Sequence, residues 1–290
     1  MRIDCHIHSR VGQTHQPGET SSSTLMEQLK QAGMDGGIIL SPNPVRCKHL
    51  PMEVRMQDTI DFCKEQRTLF PFYWINPLEE DALAQVDLAV KAGFDGLKMI
   101  CSDYYPGDQR AMDVLEKAAG AGLPVLFHSG IVWDGMESAK YNRPGNFEAL
   151  IEIPKLRFCL AHMSWPWCDE CFAVYGKFNN AYARRPDMSC EMFIDVTPGT
   201  PRPYREEALR HMIWTEYEYR YNVMFGTDCS ANDYNVAWSK EWQTRDDAIY
   251  EKLVENDVED FKEHVYYKNV MRFLGKSDED PRKYIPMPGV

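Results

Sequence analysis

The chain has 290 residues, 44% apolar and 26% charged, with a formal net charge of −12, an ordinary composition for a globular protein of one large domain or two small ones. The acidic balance, with no basic block, argues against a nucleic-acid partner. The longest uncharged run, Ala118 to Trp133, is broken by glycines, a proline and His128 and is too short to span a bilayer.

Arg2 to His8 alternates, which predicts a strand with His6 and His8 on one face. Ser9 to Ser23 reads as a long polar loop, and Ser23-Thr24 opens a helix with Leu25, Leu29 and Ala32 at helical spacing, closed by Gly33. Gly36 to Leu40 is a short apolar run without alternation, as in a strand covered on both faces. The rhythm then repeats: a helix over 51–66, a strand from Leu69 to Ile75, a helix from Glu79 to Ala92, and a strand from Asp95 to Ile100. Next come a helix from Gln109 to Ala121, a strand from Leu123 to His128, a short helix over 145–152, and a strand from Arg157 to His162. A helix from Trp167 to Ala183, a strand from Glu191 to Val196, a helix from Tyr204 to Glu218 and a strand from Val223 to Gly226 follow, and about 236–274 is helical. Strands alternating with helices imply parallel pairing and right-handed crossovers. Eight units in this length predict an α/β fold, a (β/α)8 TIM barrel forming one domain over residues 1–290. A doubly wound open sheet is the alternative.

A parallel barrel gathers the C-termini of its strands at one mouth, where catalytic groups sit. His6 and His8 close the first predicted strand, Lys98 lies late in the fourth, and His128, His162 and Asp228 end the fifth, sixth and eighth. Taken singly, each has a plainer explanation: hydrogen-bonded strand histidines, a lysine reaching out of the barrel, an aspartate capping a turn. Together they predict a pocket in which imidazoles and a carboxylate hold a divalent ion. Zn²⁺ is the default for such a donor set, with Mn²⁺, Fe²⁺ or Co²⁺ as alternatives. Trp133, Trp165, Trp167, Tyr104 and Tyr105 follow strands on the mouth side, as walls for a planar ligand or as loop-packing aromatics. Arg46, Arg143 and Arg202 lie in mouth-side loops, as carboxylate forks or as solvated charges. Nine cysteines lack zinc-site spacing and fit a reducing compartment. With the first strand starting at the second residue, the expected location is cytoplasmic.

The motif Asp4-Cys5-His6-Ile7-His8, the strand ends His128, His162 and Gly226-Thr227-Asp228, and the tail Lys268 to Leu274 resemble the amidohydrolase superfamily. Within it the likeness is to the amidohydrolase-2 branch, related to amino-carboxymuconate-semialdehyde decarboxylase, and it covers nearly the whole chain. The resemblance implies one metal held by His6, His8, His128 and Asp228, with His162 as the acid–base residue. Asp228 and Lys98 are then further catalytic groups, Lys98 also orienting a substrate oxygen. It also implies a homodimer. In two-metal relatives the fourth-strand lysine is carboxylated and bridges the ions. Met163-Ser164-Trp165-Pro166-Trp167 stands where the branch has a more glycine-rich turn. The implied activity is hydrolysis of an amide, lactone or related carbonyl of a small molecule by metal-activated water. The alternative is a carboxy-lyase acting on a small aromatic or enol acid, and a third reading is a metal-dependent binder without turnover.

Overall fold

The computed structural model describes residues 1–133, 137–215, 217–277, 279 and 281; the end of the predicted domain, 282–290, lies outside the described residues. In chain order the elements are β1 (Ile3–His8), α1 (Ser22–Ala32), β2 (Gly36–Leu40), α2 (Met52–Cys63), β3 (Leu69–Trp74), α3 (Ala82–Ala92), β4 (Gly96–Met99) and α4 (Gln109–Gly120). They continue as β5 (Val125–Phe127), α5 (Ser138–Asn142), β6 (Arg157–Leu160), α6 (Cys168–Arg184), β7 (Glu191–Asp195), α7 (Arg205–Trp214), β8 (Val223–Met224) and β9 (Cys229–Ser230). Three helices close the described chain: α8 (Val236–Leu253), α9 (Val258–Glu263) and α10 (Asn269–Phe273).

Every strand pairing is parallel, and the order runs β8-β7-β6-β5-β4-β3-β2-β1-β9. The eighth predicted strand is two short pieces. β8 pairs with β7 and β9 pairs with β1. Between them, Cys5 N donates to Phe225 O (2.9 Å) and Asp228 N donates to His6 O (3.0 Å). One broken strand therefore joins both ends of the sheet into a barrel in a single domain, and the open-sheet alternative falls. At the break Gly226 has no room for a side chain, since a Cβ there would lie 2.4 Å from Thr197 Oγ1 and 2.9 Å from His6 Cβ, and Asp228 takes a left-handed conformation (φ 61°).

Two apolar layers follow from strand alternation. Ile3, Cys5, Ile38, Leu40, Phe72, Leu126, Cys159, Phe193 and Met224 fill the barrel interior, plugged by Val270 and Phe273 of α10. Ile7, Ile39, Leu97, Met99, Phe127, Leu160 and Ile194 face outward against the helices. On β1 the pattern changes sides: Ile3 and Cys5 are interior residues but Ile7 is an outer one, with a register shift against β2 between Asp4 and Ile7. That irregularity hands the inner face to His6 and His8 at the mouth.

Other elements differ in detail from expectation. The 145–152 helix is a 3₁₀ helix, Pro144–Glu152, preceded by α5. The helix expected from Tyr204 to Glu218 is shorter, Arg205–Trp214. The C-terminal helical stretch is interrupted between Leu253 and Val258, where Asp257 is left-handed (φ 50°) and caps α9 with its side chain.

Candidate active site

His6 and His8 leave β1 side by side, their Nε2 atoms 3.1 Å apart. Asp228, turned inward by its left-handed backbone, places Oδ1 3.0 Å from His8 Nε2 and 3.8 Å from His6 Nε2. A Zn–N bond of roughly 2.0–2.1 Å sets donor atoms about 2.9 to 3.4 Å apart, from right-angle to tetrahedral arrangements. Two of the three separations fall in that range and the third is slightly wider. Burial, seconded by the Lys98 ammonium, pushes the His6 imidazole down to about 3, and burial also lowers His8. Both rings are thus neutral at ordinary pH, the form a metal ligand requires. The Asp228 carboxyl, with 41% of its side chain exposed, is held well below its usual range by the hydrogen bond it accepts from His8, against the desolvation of its surroundings. These three residues form a compact set of candidate ligands among the described residues and fit a divalent ion.

Asp195, at the end of β7, was not singled out in the sequence. Its fully buried carboxylate receives His6 Nδ1 at Oδ2 (2.9 Å) and the backbone N–H groups of His162 (2.9 Å) and Thr197 (3.0 Å) at Oδ1. Burial alone would raise its pKa, but the histidine and the hydrogen bonds win and hold it below the usual carboxylate range. The signal was present: on β7, Phe193 faces the barrel interior, and Asp195 lies two residues on, as His128 does after Leu126.

Asp4 is not a ligand in this geometry. It clamps the β8–β9 turn. Its Oδ1 accepts from the backbone of His6 (3.1 Å) and Thr227 (3.0 Å), and its Oδ2 accepts from Thr227 Oγ1 (2.6 Å) and Tyr234 OH (2.8 Å). Trp238 Nε1 holds Thr227 O from α8 (3.0 Å). Burial raises the Asp4 carboxyl to about 6 against these donors.

His162 arrives by an unexpected route. Phe158 and Leu160 on β6 face outward and Cys159 inward, so a continuing strand would point His162 out. Instead His162, Met163 and Ser164 are all left-handed (φ 62°, 48° and 58°), costly for non-glycine residues and concentrated at functional sites. The turn sets the His162 ring 5.2 Å from that of His6 and 5.0 Å from that of His128. Its Nδ1 is buried without a hydrogen-bond partner. Gly130 (φ 101°) lets the neighbouring loop close over this turn, since a Cβ there would meet Trp165 O at 2.4 Å.

His128 lines the same cavity, but its Nε2 contacts Ile131 O at 3.1 Å, and it is outside the compact three-residue set. Lys98 is 1% exposed, its Nζ has no hydrogen-bond partner, and it lies 5.8 Å from the Trp74 ring. Burial brings this ammonium down to about 8 against the pull of Asp195 and Asp228.

The cavity above these groups measures about 330 Å³. Arg46, Trp133 and Trp165 line it as anticipated from their loops, Trp133 with 84% of its surface exposed and Trp165 stacked on Tyr204 at 5.2 Å. Arg10 and Trp74 also line it and were missed. Arg143 and Arg202 are placed elsewhere, paired with Glu170 and Glu241. Tyr104 is a core residue, Tyr105 packs edge-on against Tyr141, and Trp167 lies under Arg143.

A parallel barrel with a histidine–carboxylate donor set at its C-terminal mouth defines a class, the mononuclear or binuclear barrel enzymes. A family model described as amidohydrolase matches residues 3–276, and the chain belongs to that family of metal-dependent enzymes. Among similar solved structures, a 5-carboxyvanillate decarboxylase from Sphingomonas paucimobilis has a TM-score of 0.64 at 13% identity, covering 95% of this chain and 99% of the other. A probable 2-pyrone-4,6-dicarboxylic acid hydrolase from Acinetobacter baumannii, with citric acid bound, has a TM-score of 0.60 at 11% identity, covering 94% and 99%. A 5-carboxyvanillate decarboxylase from Novosphingobium aromaticivorans, complexed with manganese and a substituted nitrobenzoic acid, has a TM-score of 0.61 at 11% identity, covering 95% and 96%. A comparison with curated protein sequences found no match. No helix among the described residues is long and apolar enough to cross a membrane.

Proposed function

We propose that this chain is a metal-dependent hydrolase that uses water to open an amide, lactone or related carbonyl of a small, planar, carboxylate-bearing molecule. The observation that carries the reading is the junction of two features. A three-residue donor set sits at the floor of a cavity whose lining holds one carboxylate, Asp228, against Arg10, Arg46 and Lys98. In a chain of net charge −12, three cations around one acid make a local anion site.

His6, His8 and Asp228 would hold the ion, with His128 as the fourth ligand once it leaves Ile131 O. When bound, such an ion supplies Lewis acidity and lowers the pKa of water. Zn²⁺ or Mn²⁺ suits the donors. His162 takes a proton from the attacking water and returns it to the leaving group, as an imidazole does near neutral pH. Lys98 holds the developing oxyanion, Arg46 and Arg10 hold a substrate carboxylate, and Trp74 and Trp165 flank its plane.

Decarboxylation is the second reading, favoured by the same buried Lys98, which lines one cavity with His162, and by the aromatic acids named for two of the similar structures. There Lys98 grips an oxygen next to the departing carboxylate and His162 supplies the proton that replaces CO2. A homodimer in the reducing cytoplasm completes the proposal; all nine cysteines are buried. The deciding experiment incubates the metal-loaded protein with 2-pyrone-4,6-dicarboxylate, 5-carboxyvanillate and related lactones and aromatic acids. Ring opening without gas supports the hydrolase, CO2 release supports the lyase, and turnover that survives a chelator sinks the metal reading in both.

A further inference from the structure

The geometry assigns to Asp195 the role of a positioning residue that fixes the His6 tautomer, holding the proton on Nδ1 so that the Nε2 lone pair faces His8 and Asp228. The inference rests on the reading of His6 as a metal ligand and deepens it. Neutral imidazole carries one proton and one lone pair, and the partner of one nitrogen decides the state of the other. An ionised Asp195 offers only acceptors, so the atom 2.9 Å from it, His6 Nδ1, must donate. The carboxylate cannot swing away to release that nitrogen. Its other oxygen is pinned by two backbone donors, His162 N at 2.9 Å and Thr197 N at 3.0 Å, and the whole group is 0% exposed. Asp195 thereby ties the ligand on β1 to the turn that delivers His162, and one side chain sets both.

The two backbone donors make the test sharp. In Asp195→Asn the amide oxygen stays with His162 N and Thr197 N, because those backbone N–H groups can only donate and would oppose an amide NH2 in that place. The amide NH2 must then point at His6 Nδ1, turning that nitrogen into an acceptor and moving the proton to Nε2. Asp195→Ala removes all three hydrogen bonds yet leaves His6 free to choose either tautomer. A residue serving structure alone makes alanine the worse variant, since it loses more contacts. Tautomer control makes asparagine worse.

The experiment measures Zn²⁺ and Mn²⁺ affinity by chelator competition for wild type, Asp195→Asn and Asp195→Ala, with thermal melts for folding. Metal-free proteins labelled with ¹⁵N-histidine then give the His6 tautomer by NMR. The expected result is a Nδ1–H imidazole in the wild type, an Nε2–H imidazole in Asp195→Asn, and affinity falling by about 10–100-fold in that variant, further than in Asp195→Ala. Nε2–H in the wild type, or alanine weaker than asparagine, overturns the assignment. A wild type that binds neither metal overturns the ligand reading instead, and the metal-free spectrum still decides the tautomer.

Discussion

His162 and Lys98 carry the sharpest expectations at the level of single residues. His162→Asn keeps a similar size and some hydrogen bonding but cannot shuttle a proton. It is expected to retain its metal and to lose turnover by about 10²–10⁴-fold, with substrate affinity little changed; loss of the metal would make His162 a ligand and favour a two-ion site. Lys98→Met acts in two directions. Burial of an ammonium with no hydrogen-bond partner is costly, so its replacement by an apolar chain is expected to raise stability, read from urea unfolding, by on the order of 1–4 kcal/mol. The same change is expected to lower kcat/KM by tenfold or more, mainly through kcat, since one charge-assisted hydrogen bond to the developing oxyanion contributes about 1.5–3 kcal/mol. A less stable Lys98→Met protein would show that the ammonium is paired or carboxylated in solution. His6, His8, Lys98, His128 and Asp228 were legible because each falls on the inner face near a strand end. Asp195 obeys the same rule and was passed over because one aspartate after an apolar run reads equally well as a turn cap. His162 was placed for the wrong geometric reason: strand alternation points it outward, and only the left-handed turn of residues 162–164 brings it in.

The element that organises the site is the broken eighth strand. Its turn is held through Thr227, whose hydroxyl donates to Asp4 Oδ2 at 2.6 Å and accepts from Cys229 N at 3.2 Å, and whose carbonyl takes Trp238 Nε1. Thr227→Val keeps the shape and removes both hydroxyl bonds, leaving the buried Asp4 carboxylate one donor short. A loss of about 1–3 kcal/mol in stability is expected, with metal affinity reduced about 10–100-fold through the misaligned Asp228. Thr227→Ser, which keeps the hydroxyl, is expected to recover most of both; equal loss in the two variants would mean that the methyl group, not the hydrogen bond, holds the turn. The strand itself was visible from its apolar run, but its interruption was not. At the break Gly226 lies against Thr197 and His6, a contact between residues far apart in sequence that no local pattern records. The interior plug of Val270 and Phe273 was hidden likewise, since the tail read only as helix.

For the molecule as a whole, folding and the metal site are linked through the same imidazoles. His6, His8 and His128 all have folded-state values below the ordinary 6.5, chiefly through burial, His6 at about 3. Between those values and 6.5 the unfolded chain binds protons that the folded chain refuses, so stability present above about pH 6.5 is lost as the pH falls toward 3. Asp4, raised to about 6, takes up its proton in the folded state and offsets part of this, as do Asp58, Asp95 and Asp246, whose carboxyls burial also raises. Lys98, lowered to about 8, acts only between about 8 and its ordinary 10.5, outside the window. The metal-free protein is therefore expected to melt at progressively lower temperature from pH 6.5 down to 4.5, while staying nearly constant from 6.5 to 7.5. The ion adds a second dependence of the same sign. Bound at 100 times its dissociation constant it stabilises the fold by about 2.7 kcal/mol, and it is released once protons compete for the imidazoles. Calorimetric melts with excess Zn²⁺ and with chelator are thus expected to stay separated by several degrees from pH 7.5 down to about 5, and to converge only as the pH approaches the His6 value of about 3. A gap that closes already near pH 6.5 would mean that the ligand rings are not held below their ordinary range. A metal-free melting temperature flat from 7.5 to 4.5 would mean that the folded protein takes up as many protons as the unfolded chain over that range, so that burial does not hold the three rings below their ordinary range.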